Sequence, residues 1–164
     1  MFKKLVPDFF VPCITDIDLD VLKNRGITAV ILDLDNTLDS HHTKTPSAHA
    51  QAFLNSLSTC GFSVCVISNG KEARVNTYLQ NLAIPYVANA GKPLKKSYQK
   101  ALHLLNSSPD CTAFIGDQIF TDVWGANRMG LVTILTEPIE QFENAFFYIK
   151  RFFEGFIKSK LPRE

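Results

Sequence analysis

The sequence predicts a three-layer α/β/α fold around a five-stranded, mostly parallel sheet. Apolar, β-branched runs recur without polar alternation, as in strands covered on both faces. Segments with helical spacing stand between them. The residues able to do chemistry come just after the strand-like runs, where doubly wound sheets bind their ligands. At 164 residues, 46% apolar and 20% charged, the chain suits one globular domain, residues 1–164, large enough to need no disulfide staples.

In chain order, Ile27 to Leu32 (ITAVIL) is the first strand. Ser47 caps a helix carrying Ala50, Phe53, Leu54 and Leu57, and Gly61 ends it. Phe62 to Ile67 (FSVCVI) is the second strand. Lys71 to Leu82 places Ala73, Val75, Leu79 and Leu82 near helical spacing. Pro85 to Ala88 is a short third strand, and Lys95 to Leu105 a helix through Tyr98, Ala101, Leu102 and Leu105. Thr112 to Ile115 is the fourth strand. A helix from about Asp122 to Met129 stops at Gly130, and Leu131 to Leu135 is the fifth strand. Such alternation implies right-handed βαβ units. The catalytic core then spans about 26–136. No repeat, low-complexity tract or long linker interrupts it.

Bulk properties exclude several classes. A net charge of +1 gives no electrostatic footprint for nucleic acid. Cys13, Cys60, Cys65 and Cys111 lack zinc-knuckle spacing; Cys65 and Cys111, in or beside strands, read as small buried apolar residues. The amino terminus is a poor signal peptide, and no run approaches the roughly 18 uncharged apolar residues of a spanning helix. A reducing, cytoplasmic compartment is the default. Gly70-Lys71 imitates the end of a nucleotide P-loop, but Cys65 and Glu72 stand where Gly and Ser/Thr belong. No dinucleotide fingerprint occurs.

The strand ends carry residues that suit one chemistry. Asp33, Asp35 and Thr37 come after the first strand, Ser68 and Asn69 after the second, Lys92 after the third, Asp117 and Asp122 after the fourth. An aspartate at a strand end can attack phosphorus and form an acyl phosphate. Its repulsion from a dianionic phosphate calls for a divalent cation and donors around the phosphoryl oxygens. Mg²⁺ takes hard oxygen ligands, which Asp33 and Asp117 offer. Asp35 can protonate the leaving oxygen and then activate water. Ser68 can donate to the phosphoryl group and Lys92 adds a fixed positive charge. Gly70, Gly91 and Gly116 permit tight turns beside the ligand. Singly, each has a plainer reading: the aspartates as turn residues, Asp122 as the cap of the next helix, Asn36 as a turn residue, and His41, His42, Lys44 and Lys71 as solvated surface groups near the mouth.

In this order, Asp-x-Asp-x-Thr, Ser-Asn, Lys-Pro and Gly-Asp-x-x-x-x-Asp resemble the haloacid dehalogenase (HAD) superfamily over about Ile27 to Leu135. The resemblance implies a Rossmann-like sheet with its strands in the order 5-4-1-2-3. It implies Asp33 as nucleophile, Asp35 as general acid/base lending its carbonyl to Mg²⁺, and Ser68 and Lys92 at the phosphate. Thr37 and Asn69 join them there. Asp117 is then a metal ligand, with Asp122 as a ligand through water or a partner behind the ligands. The intervals between motifs are too short for a sizeable cap domain. An uncapped site favours bulky phosphate esters and leaves little shelter for a phosphomutase intermediate. Asp-Leu-Asp-Asn-Thr-Leu, Gly91-Lys92-Pro93 and Gly116 to Asp122, with the early Leu5-Val6-Pro7-Asp8 and Ile14 to Leu22, are similar to the YqeG type of bacterial HAD phosphatase. That type is related to phosphatidylglycerophosphate phosphatases, so this lipid is a candidate substrate by analogy. A binding or regulatory module at a membrane or macromolecular assembly is the other class of reading; it has no need to keep all five of Asp33, Asp35, Ser68, Lys92 and Asp117.

The last element is an amphipathic helix over about 139–159. Phe142, Phe146, Ile149, Phe153, Phe156 and Ile157 share one face, and Lys150, Arg151, Glu154 and Lys158 another. Two readings stay open for residues 142–158: packing on the domain or a partner, and peripheral contact with anionic lipid.

Overall fold

The computed structural model describes residues 2–140. Its sheet has six strands in the order β1-β6-β5-β2-β3-β4: β1 (Phe9–Val11), β2 (Ala29–Leu32), β3 (Ser63–Ile67), β4 (Tyr86–Val87), β5 (Thr112–Gly116) and β6 (Val132–Thr136). Each neighbouring pair is parallel. Five strands keep the anticipated order. The sixth, β1, corrects the count. It joins the edge of β6, Phe9 opposite Ile134. Asp8 leads it in, its carboxylate accepting from the Thr133 N–H at 2.8 Å and from the Thr133 hydroxyl at 3.2 Å. Three half-buried residues carry too little pattern to read as a strand.

Among the described residues, five α-helices cover the sheet: α1 (Leu19–Asn24), α2 (Ala48–Thr59), α3 (Glu72–Leu79), α4 (Lys95–Leu104) and α5 (Trp124–Met129). Two of them start at side-chain caps. Asp18 accepts from the N–H groups of Asp20 and Val21, and Ser47 from that of Ala50. Alternation along the strands then sorts the core into two layers. Val30 and Leu32 pack with Leu22 of α1, Phe53 and Leu57 of α2 and Val75 and Leu79 of α3. Ile31 faces the other way, with Cys65, Phe114, Tyr98, Leu102 and Ala126 under α4 and α5. β2 is fully buried in the middle, as a continuous apolar run requires.

Two further expectations change. The helix placed at Asp122 is preceded by a π-helical turn, Ile119–Val123, so Asp122 lies inside that turn and α5 starts only at Trp124. Cys65 is buried, with its thiol pushed up to about 12 by desolvation, but Cys111, in a turn before β5, is only partly so. The carboxyl-terminal helix lies outside the described residues, apart from Ile139 and Glu140, which form a bend. No helix among the described residues is long and apolar enough to cross a membrane.

Candidate active site

Parallel packing brings the strand ends to one edge. β2 is flanked by β3 and β5, with Leu32 opposite both Val66 and Ile115. The chain then runs one residue further, and the Asp33 N–H donates to the Ile115 carbonyl at 2.9 Å. Beyond it the backbone turns sharply. Asn36 takes a left-handed conformation, φ 68°, which asparagine tolerates better than most residues. Its N–H reaches the Asp39 carbonyl at 2.7 Å, while Leu34 and Leu38 anchor the turn in the core. Asn36 also holds residues 139–140: its carbonyl accepts from the Ile139 N–H and its side chain from the Glu140 N–H.

The loops after β3 and β4 are tied together. The Ala90 N–H donates to the Ser68 carbonyl and the Asn89 N–H to the Gly70 carbonyl. Asn69 clasps the main chain of Lys92, accepting from its N–H at 2.8 Å and donating to its carbonyl at 3.4 Å. This holds Lys92 in the site. Its Nζ donates to Asp33 Oδ1 at 2.6 Å and to Asp122 Oδ1 at 2.7 Å. Asp122 is fixed from the other side by the Gln118 N–H at 3.0 Å, so it does not cap the following helix. Thr37 donates to Asp117 at 3.4 Å. The side chains of Thr37 and Asn69, expected at the phosphate, are thus turned to Asp117 and to the Lys92 main chain. Ser68 Oγ accepts from the Gly70 N–H at 2.9 Å, leaving its own O–H to donate.

Asp33, Asp117 and Asp122 are all buried and each offers an oxygen within 4.8 Å of the others. Three carboxylates and one ammonium leave two formal negative charges in a desolvated place. Burial pushes the Asp33 carboxyl well above the usual carboxylate range, and Asp122 and Asp117 add to this, against the pull of Lys92. Burial also works against the Lys92 ammonium, yet Asp122 and Asp33 outweigh it and hold its pKa above that of an ordinary lysine. A compact set of hard oxygen donors with surplus negative charge is what Mg²⁺ takes. The residues therefore fit the cation that the motifs imply.

The model of the mitochondrial PGP phosphatase family matches residues 2–140. The chain belongs to that family. Among curated relatives, the probable phosphatase YqeG of Bacillus subtilis is 33% identical over 165 residues, covering all of this chain and 96% of that one. Phosphatidylglycerophosphate phosphatase 1 of Arabidopsis thaliana, chloroplastic/mitochondrial, is 28% identical over 87% of this chain, which spans only 43% of that relative's length. An uncharacterized protein from Listeria monocytogenes shares the fold with a TM-score of 0.57 at 18% identity, over 81% of this chain and 99% of that one. The cobalt-bound deoxy-D-mannose-octulosonate 8-phosphate phosphatase of Haemophilus influenzae does so at 0.56 and 17%, over 70% of each. The protein is accordingly a phosphatase of the YqeG type.

In this PGP phosphatase family member, the mouth holds residues that motif spacing does not mark. Arg74, on α3, donates through Nη2 to Asp35 Oδ1 at 3.0 Å. His41 lies on the same oxygen, its Nδ1 at 3.5 Å, and is half exposed; His42 meets it ring edge to face. Lys44 and Lys71 are exposed. Asp39 is buried and accepts from the Tyr78 hydroxyl at 2.5 Å and the Ser47 N–H at 2.9 Å, pinning the motif loop to α2 and α3. Beside Thr37 a cavity of about 390 Å³ opens toward Cys13, His49 and Thr136. No spacing rule marks Arg74 or Asp39, because each meets its partners only across the packed layers.

Proposed function

We propose that the chain hydrolyses a phosphomonoester through an aspartyl-phosphate on Asp33, and that phosphatidylglycerophosphate is its substrate. The observation that carries the reaction is the Asp33 carboxylate, buried at the end of β2 with Lys92 Nζ 2.6 Å away and Asp117 and Asp122 beside it. The family match and the names of the relatives support the substrate.

Asp33 attacks phosphorus and the ester P–O bond breaks. Asp35, at the partly exposed mouth, gives its proton to the leaving oxygen. It then takes a proton from the water that attacks the phosphoryl group, releasing inorganic phosphate and restoring Asp33. Lys92 and the Ser68 hydroxyl hold phosphoryl oxygens. Asn69 keeps Lys92 in place and Thr37 orients Asp117, so both serve the phosphate site from one step behind. Mg²⁺ would be held by Asp33, Asp117 and the main-chain carbonyl of Asp35, whose carboxyl meets Arg74 through Oδ1; Asp122 steadies the set through Lys92. When bound, the ion offsets the charge of the phosphoryl group facing Asp33. A lipid substrate also places the work at a membrane surface, which residues 142–158 would meet with their aromatic face.

The test is a hydrolysis screen with an aryl phosphate, phosphatidylglycerophosphate, nucleoside monophosphates, sugar phosphates and a phosphoprotein, with Mg²⁺ and with EDTA. Asp33→Asn should lower turnover by about 10³-fold or more, EDTA should abolish it reversibly, and the lipid should show the highest kcat/KM. Full activity in Asp33→Asn would sink the mechanism. A sugar or nucleotide phosphate as best substrate would sink the assignment of the lipid.

A further inference from the structure

Arg74 has more hydrogen-bonding capacity than its surroundings use. Its Nη2 donates to Asp35 Oδ1 at 3.0 Å and to the Ser40 carbonyl at 3.4 Å. Its Nε and Nη1 are buried and meet no acceptor among the described residues. With the side chain only 18% exposed, the one N–H of Nε and the two of Nη1 are largely turned away from bulk water. Buried donors are normally satisfied, so such a group calls for an explanation.

Gly70 supplies a second, independent observation. A Cβ at this position would lie 3.1 Å from Ser68 Oγ, 3.5 Å from Asp35 Oδ2 and 3.7 Å from Arg74 Cγ. With no side chain at Gly70, Ser68 Oγ, Asp35 Oδ2 and the aliphatic stem of Arg74 close round one point. The arginine therefore runs directly beside the residue assigned to the phosphoryl group and the residue assigned to the leaving oxygen.

We propose that Arg74 is a specificity residue that takes an anionic oxygen on the leaving part of the substrate. The preferred substrates are then phosphomonoesters with a second anion, a phosphodiester in first place, a few bonds beyond the scissile ester. The proposal rests on the roles proposed for Asp33, Asp35 and Ser68 in hydrolysis. Arginine suits the task because its planar fork serves two acceptors at once and stays charged at every working pH. Lys92 is already engaged with Asp33 and Asp122, whereas Arg74 holds donors in reserve.

The experiment compares two soluble esters: glycerol 1-phosphate, and the same glycerol phosphate joined at its other end to a glycerophosphate diester. The reading is the ratio of their kcat/KM values. Arg74→Met should lower the preference for the diester at least about tenfold, mainly through its KM, and Arg74→Lys should keep part of it. Any loss from a disturbed Asp35 falls on both esters and cancels. An unchanged ratio would overturn the proposal. Arg74→Gln, which keeps an N–H for Asp35, serves the same comparison if Arg74→Met does not fold. Calorimetric titration of both esters into Asp33→Asn, with and without Arg74→Met, needs no turnover. A diester preference that survives Arg74→Met there refutes the arginine's role whether or not Asp33 is the nucleophile. A third arm measures the diacyl form of the diester in detergent micelles. A higher kcat/KM than the soluble form identifies the anion as a lipid headgroup; a lower one identifies a free phosphate ester. In both cases the preference must depend on Arg74.

Discussion

Asp33 and Lys92 set the character of the site through opposed effects of one burial. The Lys92 ammonium is held against burial because Asp33 and Asp122 share it, whereas burial destabilises Asp33 as a carboxylate, with Asp122 and Asp117 adding to the effect against the pull of Lys92. The margin for displacing any of these groups is small, and Gly116 shows it. A Cβ there would stand 2.6 Å from Asp122 Oδ2 and 2.7 Å from its Cβ, so the whole Asp122 side chain would have to move. That side chain is wholly buried and bound to Lys92 and Gln118. Gly116→Ala should therefore cost about 1–3 kcal/mol of stability, the usual range for overpacking. It should also lower kcat toward an aryl phosphate by about tenfold or more through misplacement of Lys92. Denaturant unfolding beside the assay checks both; wild-type values in the two measurements would show that Asp122 has room to retreat.

Among the elements, the seam between α4 and α5 matters most to the site. Gly125 lets α5 come so close that an added Cβ would strike the ring and hydroxyl of Tyr98. Tyr98, buried on α4, donates to the Thr121 carbonyl at 2.6 Å and lies 3.3 Å from the Asp122 carbonyl. One side chain of α4 thus satisfies the backbone of the π-helical turn that presents Asp122. Helices that end or bulge this way need outside partners for their carbonyls. Tyr98→Phe removes the donor and leaves the partly buried Thr121 carbonyl without it. The expected loss is about 1–2 kcal/mol in stability, with a kcat reduction of about threefold to tenfold. Ring packing against Phe114 should persist. An unfolding midpoint equal to the wild type would show that the turn does not depend on α4.

For the whole molecule, the acidic cluster couples metal, pH and stability. The folded-state pKa of Asp33 lies above its ordinary value of 3.8, burial being the largest cause. A carboxyl shifted this way binds protons more readily folded than unfolded. Its contribution is complete below the unfolded value and is lost as pH rises through the folded one. Metal-free protein should lose stability at this site as pH climbs from about 4, and Mg²⁺ should remove that loss by supplying positive charge. Mg²⁺ at about 100 times its Kd should raise the thermal midpoint near pH 8 by roughly 5–10 °C. The gain should shrink toward pH 5 as Asp33, whose carboxyl is shifted upward, takes up its proton. Identical midpoints with Mg²⁺ and with EDTA across that range would refute a cation site here.

Asp33, Ser68, Lys92 and Asp117 are legible in the chain because each lies just beyond an apolar run that reads as a covered strand, and parallel strands deliver their carboxyl ends to one edge. The reaction class comes from that order alone. β1 is not legible, because three half-buried residues carry no period. Thr37 and Asn69 are recognisable in the motifs, but not their aim, since a hydroxyl or amide chooses its partner only once Asp117 and the Lys92 backbone are in place. Arg74 is invisible: 39 residues separate it from Asp35, and nothing local in α3 announces the contact. Motif residues are recorded by linear spacing because a strand end is a local event. Asp39, Tyr98 and Arg74 owe their positions to layers packing against one another, which sets distances that no window of sequence contains.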